Sequence, residues 1–285
     1  MIISRKNNFI FFKPIKTAGT SVEAALSQFC DEKDILTGSL VLSELKDNRY
    51  DLSPRNNWKK SRIISGEEAR EYLKKHGRID LWKSGFKRFK IVDEIIYDEH
   101  TSPLMIDEKK LDIKKFKRFS MVRNPYDLMV SYFWWSYYSP AMDIVSYSKN
   151  IQKKILKDQR AISAPRAHDS KRDLSYKFEK FLDMPAHIDR AARPAYGDIS
   201  LGEWFSEWSN EFFLADIDFH IKFENINDDF NKACAALGEN PPALPVFKSN
   251  IRKISHHYRD YYTESSKNKV TILFEEAIDV FKYLF

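Results

Sequence analysis

Apolar and polar positions alternate along this chain in blocks that read as strands and helices. Phe9-Ile10-Phe11-Phe12 is a continuous apolar run, the pattern of a strand buried on both faces. After a short loop, Val22, Ala25, Leu26 and Phe29 recur at i, i+3, i+4 and i+7, which predicts an amphipathic helix. Arg62-Ile63-Ile64 predicts a short strand, Glu67 to Lys75 a helix closed by Gly77, and Phe89 to Tyr97 an extended segment. Lys117 to Val122 is a second buried-strand pattern. It runs into Asn124, a good helix cap, and Pro125, which suits the first helical position. Ser200-Leu201-Gly202-Glu203 is a capping box opening a helix with Trp204, Phe205, Trp208 and Phe212. Phe219, Ile221 and Phe223 alternate as a strand, and a helix from Asn227 ends at Gly238. A last helix carries Val270, Leu273, Phe274, Ala277, Ile278 and Phe281 on one face.

Strands alternating with helices predict an α/β fold with a mostly parallel central sheet flanked by helices. No repeat or flexible linker divides residues 1–285, so a single domain is expected. The stretch 139–200 mixes charges with prolines at 140, 165, 185 and 194 and shows little pattern. It is the natural place for an insertion or lid.

Composition adds limits. A hydrophobic fraction of 43% supports a sizeable core. The formal charge of +6 suits an anionic ligand, although 31% charged residues is mostly a solvated surface. No zinc-finger, basic-zipper or RNA-recognition signature accompanies it, so nucleic acid is not the expected partner. Cys30 and Cys234 match no metal spacing and make no disulfide framework, which fits free thiols in a reducing compartment. No run approaches the ~18 apolar residues of a membrane span. Arg5 to Asn8 interrupt the N-terminal apolar run, so no signal peptide is read and a cytoplasmic location is expected.

The chemistry concentrates in two segments. Lys16-Thr17-Ala18-Gly19-Thr20-Ser21 lies between a buried strand and a helix N-terminus, where unpaired N–H groups and the helix dipole favour an anion. The residue order is not that of a Walker A loop, because the lysine comes first and the upstream glycine is missing. An ordinary capping turn with a solvated lysine is the plainer alternative. Arg123-Asn124-Pro125-Tyr126-Asp127, with Ser131 about two helical turns on, is the second segment. Arg123 stands at the carboxyl end of a predicted strand, where open α/β sheets bind ligands, and an arginine fork with a hydroxyl suits a phosphate monoester. Here the plainer alternative is that Arg123 pairs with Asp127 and Ser131 only packs.

Together the two segments resemble the sulfotransferase superfamily, in its bacterial and carbohydrate-type branch. In that family P-K-T-G/A-G-T-S holds the 5′-phosphosulfate of 3′-phosphoadenosine-5′-phosphosulfate (PAPS), and F-x-x-V-R-N/D-P-x-D-R-x-x-S holds its 3′-phosphate. The likeness extends to Phe223-Glu224-Asn225-Ile226, to Tyr258-Arg259-Asp260-Tyr261-Tyr262 and to the closing helix. It departs where Ile15, not proline, precedes Lys16, and where Leu128 replaces an arginine. The resemblance implies a P-loop-like sulfotransferase fold and sulfuryl transfer from PAPS to a hydroxyl, with a saccharide favoured as acceptor and no metal required. It implies Lys16 to Ser21 at the 5′ end, Arg123 and Ser131 at the 3′-phosphate, and Arg252, in the basic loop 248–253, as a further contact. Lys16 is also the expected stabiliser of the leaving phosphate. His100 is the first choice for the base because its pKa lies near working pH, with Glu99, Asp98 and Glu94 as carboxylate alternatives. Trp134, Trp135, Tyr137 and Tyr138 divide between core and a stacking surface for a sugar. A nucleotide-dependent kinase, or a non-catalytic anion- or nucleic-acid-binding module, is the alternative reading of the anion loops. The oligomeric state is not legible.

Overall fold

In the computed structural model the described residues are 1–37, 50, 54–65, 81–84, 88–95, 97–107, 109–138, 164–186, 199–247, 252, 254 and 256–285; of the strands within 58–95 only the backbone is described. The expected helix at 67–75 therefore lies outside them, as does most of the loop 248–253.

Five strands form the central sheet: β1 (Ile2–Ser4), β2 (Phe9–Phe11), β3 (Ile35–Leu36), β7 (Lys117–Val122) and β8 (Phe219–Lys222), in the order β3-β1-β2-β7-β8. The pairings β2–β7 and β7–β8 are parallel, with Phe11 opposite Phe119 and Val122 opposite Lys222. β1 and β3 add an antiparallel edge that the sequence pattern does not announce. A separate antiparallel sheet, β4 (Trp58–Ser65), β6 (Arg88–Ile95) and β5 (Leu81–Ser84), lies in chain order between β3 and β7. The parallel arrangement thus holds for the centre of the main sheet and not for the whole fold.

The apolar run in β2 is explained by its two neighbours. Phe9 and Phe11 enter one core layer, while Ile10 and Phe12 enter the other, and all four are fully buried. On the first side lie α1 (Gly19–Ser27) and α5 (Ile226–Leu237), contributing Val22, Ala25, Leu26, Phe230, Ala233 and Cys234. On the second lie α2 (Pro125–Tyr138), α3 (Lys171–Leu182), α4 (Leu201–Phe213), α6 (Glu264–Leu273) and α7 (Glu275–Phe281). Each buried phenylalanine of this kind contributes about 1.5–3 kcal/mol.

Several local expectations reappear. Asn124 Oδ1 accepts the Tyr126 N–H at the start of α2, and Ser200 with Glu203 forms a complete capping box on α4. Gly238, at φ +76, closes α5. The C-terminal apolar face is interrupted: Phe274 leaves helical geometry, and α6 and α7 are two helices. Within 139–200, the part from Ser170 onward holds an amphipathic helix, α3, opened by a Ser170–Asp173 capping box. Its Leu174, Phe178, Phe181 and Leu182 are fully buried, so this helix belongs to the core. Residues 139–163 and 187–198 lie outside the described residues.

Candidate active site

The three parallel strands end on one edge of the sheet, and each delivers charged residues there. Lys13 and Lys16 follow β2, Arg123 follows β7, and Glu224 follows β8. This is where parallel sheets leave a crevice for ligands.

The loop after β2 is strained. Lys16 and Ala18 both have φ near +65, a left-handed conformation that costs a non-glycine residue on the order of 1–3 kcal/mol. Ala18 is the N-cap of α1, so no side-chain oxygen caps the first turn. Ser21 N–H bonds back to the Ala18 carbonyl (3.0 Å), and Thr17 Oγ1 donates to the Pro14 carbonyl (3.2 Å). Left-handed turns at a helix start gather N–H groups into an anion-binding concavity. The side chains of Lys16 and Thr20 are half-buried at its mouth, with Lys16 Nζ 5.8 Å from the centre of the Trp135 ring. The donor set, a cation with uncapped N–H groups and hydroxyls, fits a phosphosulfate. Gly19 has a specific reason to be glycine: a Cβ there would lie 2.5 Å from Lys13 Cγ.

Arg123 ties this loop to the next strand. Its Nη1 donates to the Lys16 carbonyl at 2.7 Å, and its guanidinium lies 3.9 Å over the Phe223 ring. Its Nε and Nη2 both donate to Asp127 Oδ2, so the Arg123–Asp127 pairing left open above is present. Arg252, 125 residues away in sequence, donates to the other oxygen, Asp127 Oδ1, at 2.8 Å. Two guanidiniums therefore share one carboxylate and keep further N–H donors, with Glu224 a second negative charge near Arg123. Burial alone would raise the Asp127 carboxyl's pKa, but Arg123 and Arg252 outweigh it and hold it below the ordinary aspartate value. Ser131 stands one helical turn beyond Asp127 and is half-exposed. Glu224 Oε1 accepts the Asn124 N–H (2.6 Å), pinning the start of α2 to the end of β8.

The candidate bases lie on the loop 97–102. His100 is half-buried, and its ring meets Trp208 edge to face at 5.6 Å. Its Nδ1 is 2.7 Å from the Lys13 carbonyl. A carbonyl can only accept, so Nδ1 carries a proton, and in the neutral ring Nε2 keeps its lone pair. Desolvation lowers the His100 pKa, which favours this neutral form near pH 7. Glu99 is differently employed: its Oε1 accepts from Lys13 Nζ at 2.6 Å. Asp98 Oδ1 accepts the His100 backbone N–H. The side chain of Glu94 lies outside the described residues.

Lys13 and Glu23 escaped the motif reading. Lys13 is fully buried, and its Nζ bonds Glu23 Oε2 (2.5 Å) as well as Glu99; Glu23 also accepts from the Met1 amino group (2.6 Å). A signal was present, since Glu23 is the lone charge in α1, a helix buried on nearly every side. Such a carboxylate requires a cation within reach. Of the four aromatics, Trp134 is core, donating to Tyr261 Oη at 2.9 Å. Trp135 and Tyr137 are half-buried, and the Tyr138 side chain lies outside the described residues. Among the described residues no helix is long and apolar enough to cross a membrane.

Compared with known proteins, residues 1–280 match the model of a family described as the Sulfotransferase family. No curated protein and no solved structure matches this chain.

Proposed function

The chain belongs to the sulfotransferase family, and from that premise we propose that it transfers a sulfuryl group from PAPS to the hydroxyl of an acceptor, a saccharide in our reading. The observation that carries the donor assignment is the 2.7 Å bond from Arg123 to the Lys16 carbonyl. It makes the two anion loops one continuous surface, suited to a ligand with charge at both its 5′ and 3′ ends. Such a site extends the P-loop-like architecture we ascribe to the chain, read as one domain. PAPS supplies an activated sulfuryl group whose leaving group is a phosphate.

In this reading Lys16 and the N–H groups at the start of α1 neutralise charge that grows on the 5′-phosphate as the S–O bond breaks. Thr20 and Ser21 supply hydroxyls along the same loop, while the buried Thr17 hydroxyl, spent on the Pro14 carbonyl, braces it. Arg123, Ser131 and Arg252 hold the 3′-phosphate. His100 Nε2 takes the proton of the acceptor hydroxyl as its oxygen attacks sulfur. Glu99, already paired with Lys13, is the weaker candidate for that role.

Incubation with PAPS labelled in the sulfuryl group, over a panel of saccharide acceptors, tests the proposal. Transfer should appear with the wild type and fall about 10²–10³-fold in Lys16→Ala. Near-normal turnover in that variant overturns the role of Lys16. Thermal stabilisation by ATP with Mg²⁺ and none by PAPS or adenosine 3′,5′-bisphosphate would favour a kinase instead.

A further inference from the structure

Lys13 belongs to neither anion loop's motif, yet four contacts converge on it. Its ammonium is held by Glu23 of α1 at 2.5 Å and by Glu99 of the base loop at 2.6 Å. Its carbonyl receives His100 Nδ1 at 2.7 Å. Its stem fills the space that a Gly19 side chain would occupy, within the donor loop. One buried residue therefore touches the helix, the donor loop and the base loop together.

We propose that Lys13 is a positioning residue for His100: it fixes the imidazole's orientation and tautomer through its carbonyl, and offsets the Glu99 charge through its ammonium. The inference rests on the reading of His100 as the base. The electrostatic argument follows from the groups that face the ring. Desolvation disfavours the imidazolium most; Glu99 and Asp98 of its own loop and the bond to the Lys13 carbonyl favour it, and the Lys13 ammonium opposes it. Glu23, on α1, lies behind the Lys13 ammonium, and the Met1 amino group reaches the Glu99 carbonyl at 3.3 Å. From α4 the ring meets the uncharged Trp208. A bare Glu99 beside His100 would stabilise the protonated form, which has no lone pair to offer an acceptor. The Lys13 ammonium opposes that pull, and with desolvation, the largest influence, it keeps the ring neutral with Nε2 available.

The test is an NMR titration of histidine side chains in the whole protein, with His100 assigned by the signal missing from His100→Gln. In the wild type, nitrogen shifts should show Nδ1 protonated and a midpoint below the ordinary histidine value. In Lys13→Met the midpoint should rise by about one unit, and in Glu99→Gln it should fall. Glu99 is partly exposed, so the second variant tests the proposal even where Lys13→Met does not fold. Unchanged midpoints in folded variants, or a proton on Nε2 in the wild type, overturn it. Failure of the base reading is distinguishable: wild-type transfer by His100→Gln would remove that premise while leaving the NMR shifts as described.

Discussion

Two clusters of alternating charge stand at the same edge of the sheet, and they are near inversions of each other. In one, the Lys13 ammonium lies between the carboxylates of Glu23 and Glu99. In the other, the Asp127 carboxylate lies between the guanidiniums of Arg123 and Arg252. The first holds its cation sealed: Lys13 and Glu23 are 1% and 0% exposed, and Glu99, at 30%, is the member that reaches the surface. The second leaves its cations less sealed, with Arg123 at 11% and Arg252 at 26%. The difference assigns their work. A sealed cation matched by two carboxylates has nothing left for a ligand and acts on structure and on its neighbours. Two guanidiniums sharing one carboxylate keep N–H donors beyond those it takes, which is what a phosphate needs.

Substitutions can break or sharpen this contrast. The largest loss of stability is expected for Glu23→Gln, which leaves buried cations short of a carboxylate. Breaking such a pair costs about 3–5 kcal/mol, a fall in melting temperature on the order of 10 °C. Arg123→Ala should act next most strongly, weakening the donor product adenosine 3′,5′-bisphosphate about 10²-fold in a calorimetric titration, the scale of one or two charged hydrogen bonds. Gly19→Ala should destabilise by about 1–3 kcal/mol in urea unfolding. The Lys13 stem it meets is tethered at its far end by two ion pairs and cannot simply swing aside. The smallest effect is expected from Asp127→Asn, about 1 kcal/mol near neutral pH with donor affinity retained or improved. If Asp127→Asn instead abolished donor binding, the carboxylate would be part of the grip and the contrast would fail.

Acid titration sharpens the same point. The Asp127 pKa is depressed by Arg123 and Arg252, so its contribution to stability is complete above the unfolded value of about 4. It is lost as pH falls through the lower, folded value. Wild type and Asp127→Asn should therefore differ in melting temperature above about pH 5 and draw together as pH falls below the ordinary aspartate value of about 4.

Much of this edge was legible in the sequence because it is built from local signals. The apolar run of β2, the capping residues Asn124 and Pro125, and the Ser200 box are each set within a few residues. Lys16 and Arg123 could be inferred as two anion sites, although only the fold joins their loops, through the 2.7 Å bond from Arg123 to the Lys16 carbonyl. What escaped depends on partners distant in sequence, or on patterns too short to stand out. β1 and β3 have three and two residues, too few to show a period. Lys13 looks like a strand-end charge until Glu23 and Glu99 are brought to it. The break at Phe274 is silent because α6 and α7 share one apolar stripe. α3 did carry a signal in Leu174, Phe178, Phe181 and Leu182 at i, i+4, i+7 and i+8, opened by Ser170 with an aspartate in place of the usual glutamate.

The central claim is that two loops on one sheet edge grip a single donor at both its phosphate ends. Calorimetric affinities of adenosine 3′,5′-bisphosphate and adenosine 5′-monophosphate, for wild type and Arg123→Ala, test it most directly. The wild type should prefer the bisphosphate by about 10²-fold, and Arg123→Ala should lose that preference while still binding the monophosphate. Equal affinity of the wild type for both nucleotides would contradict it.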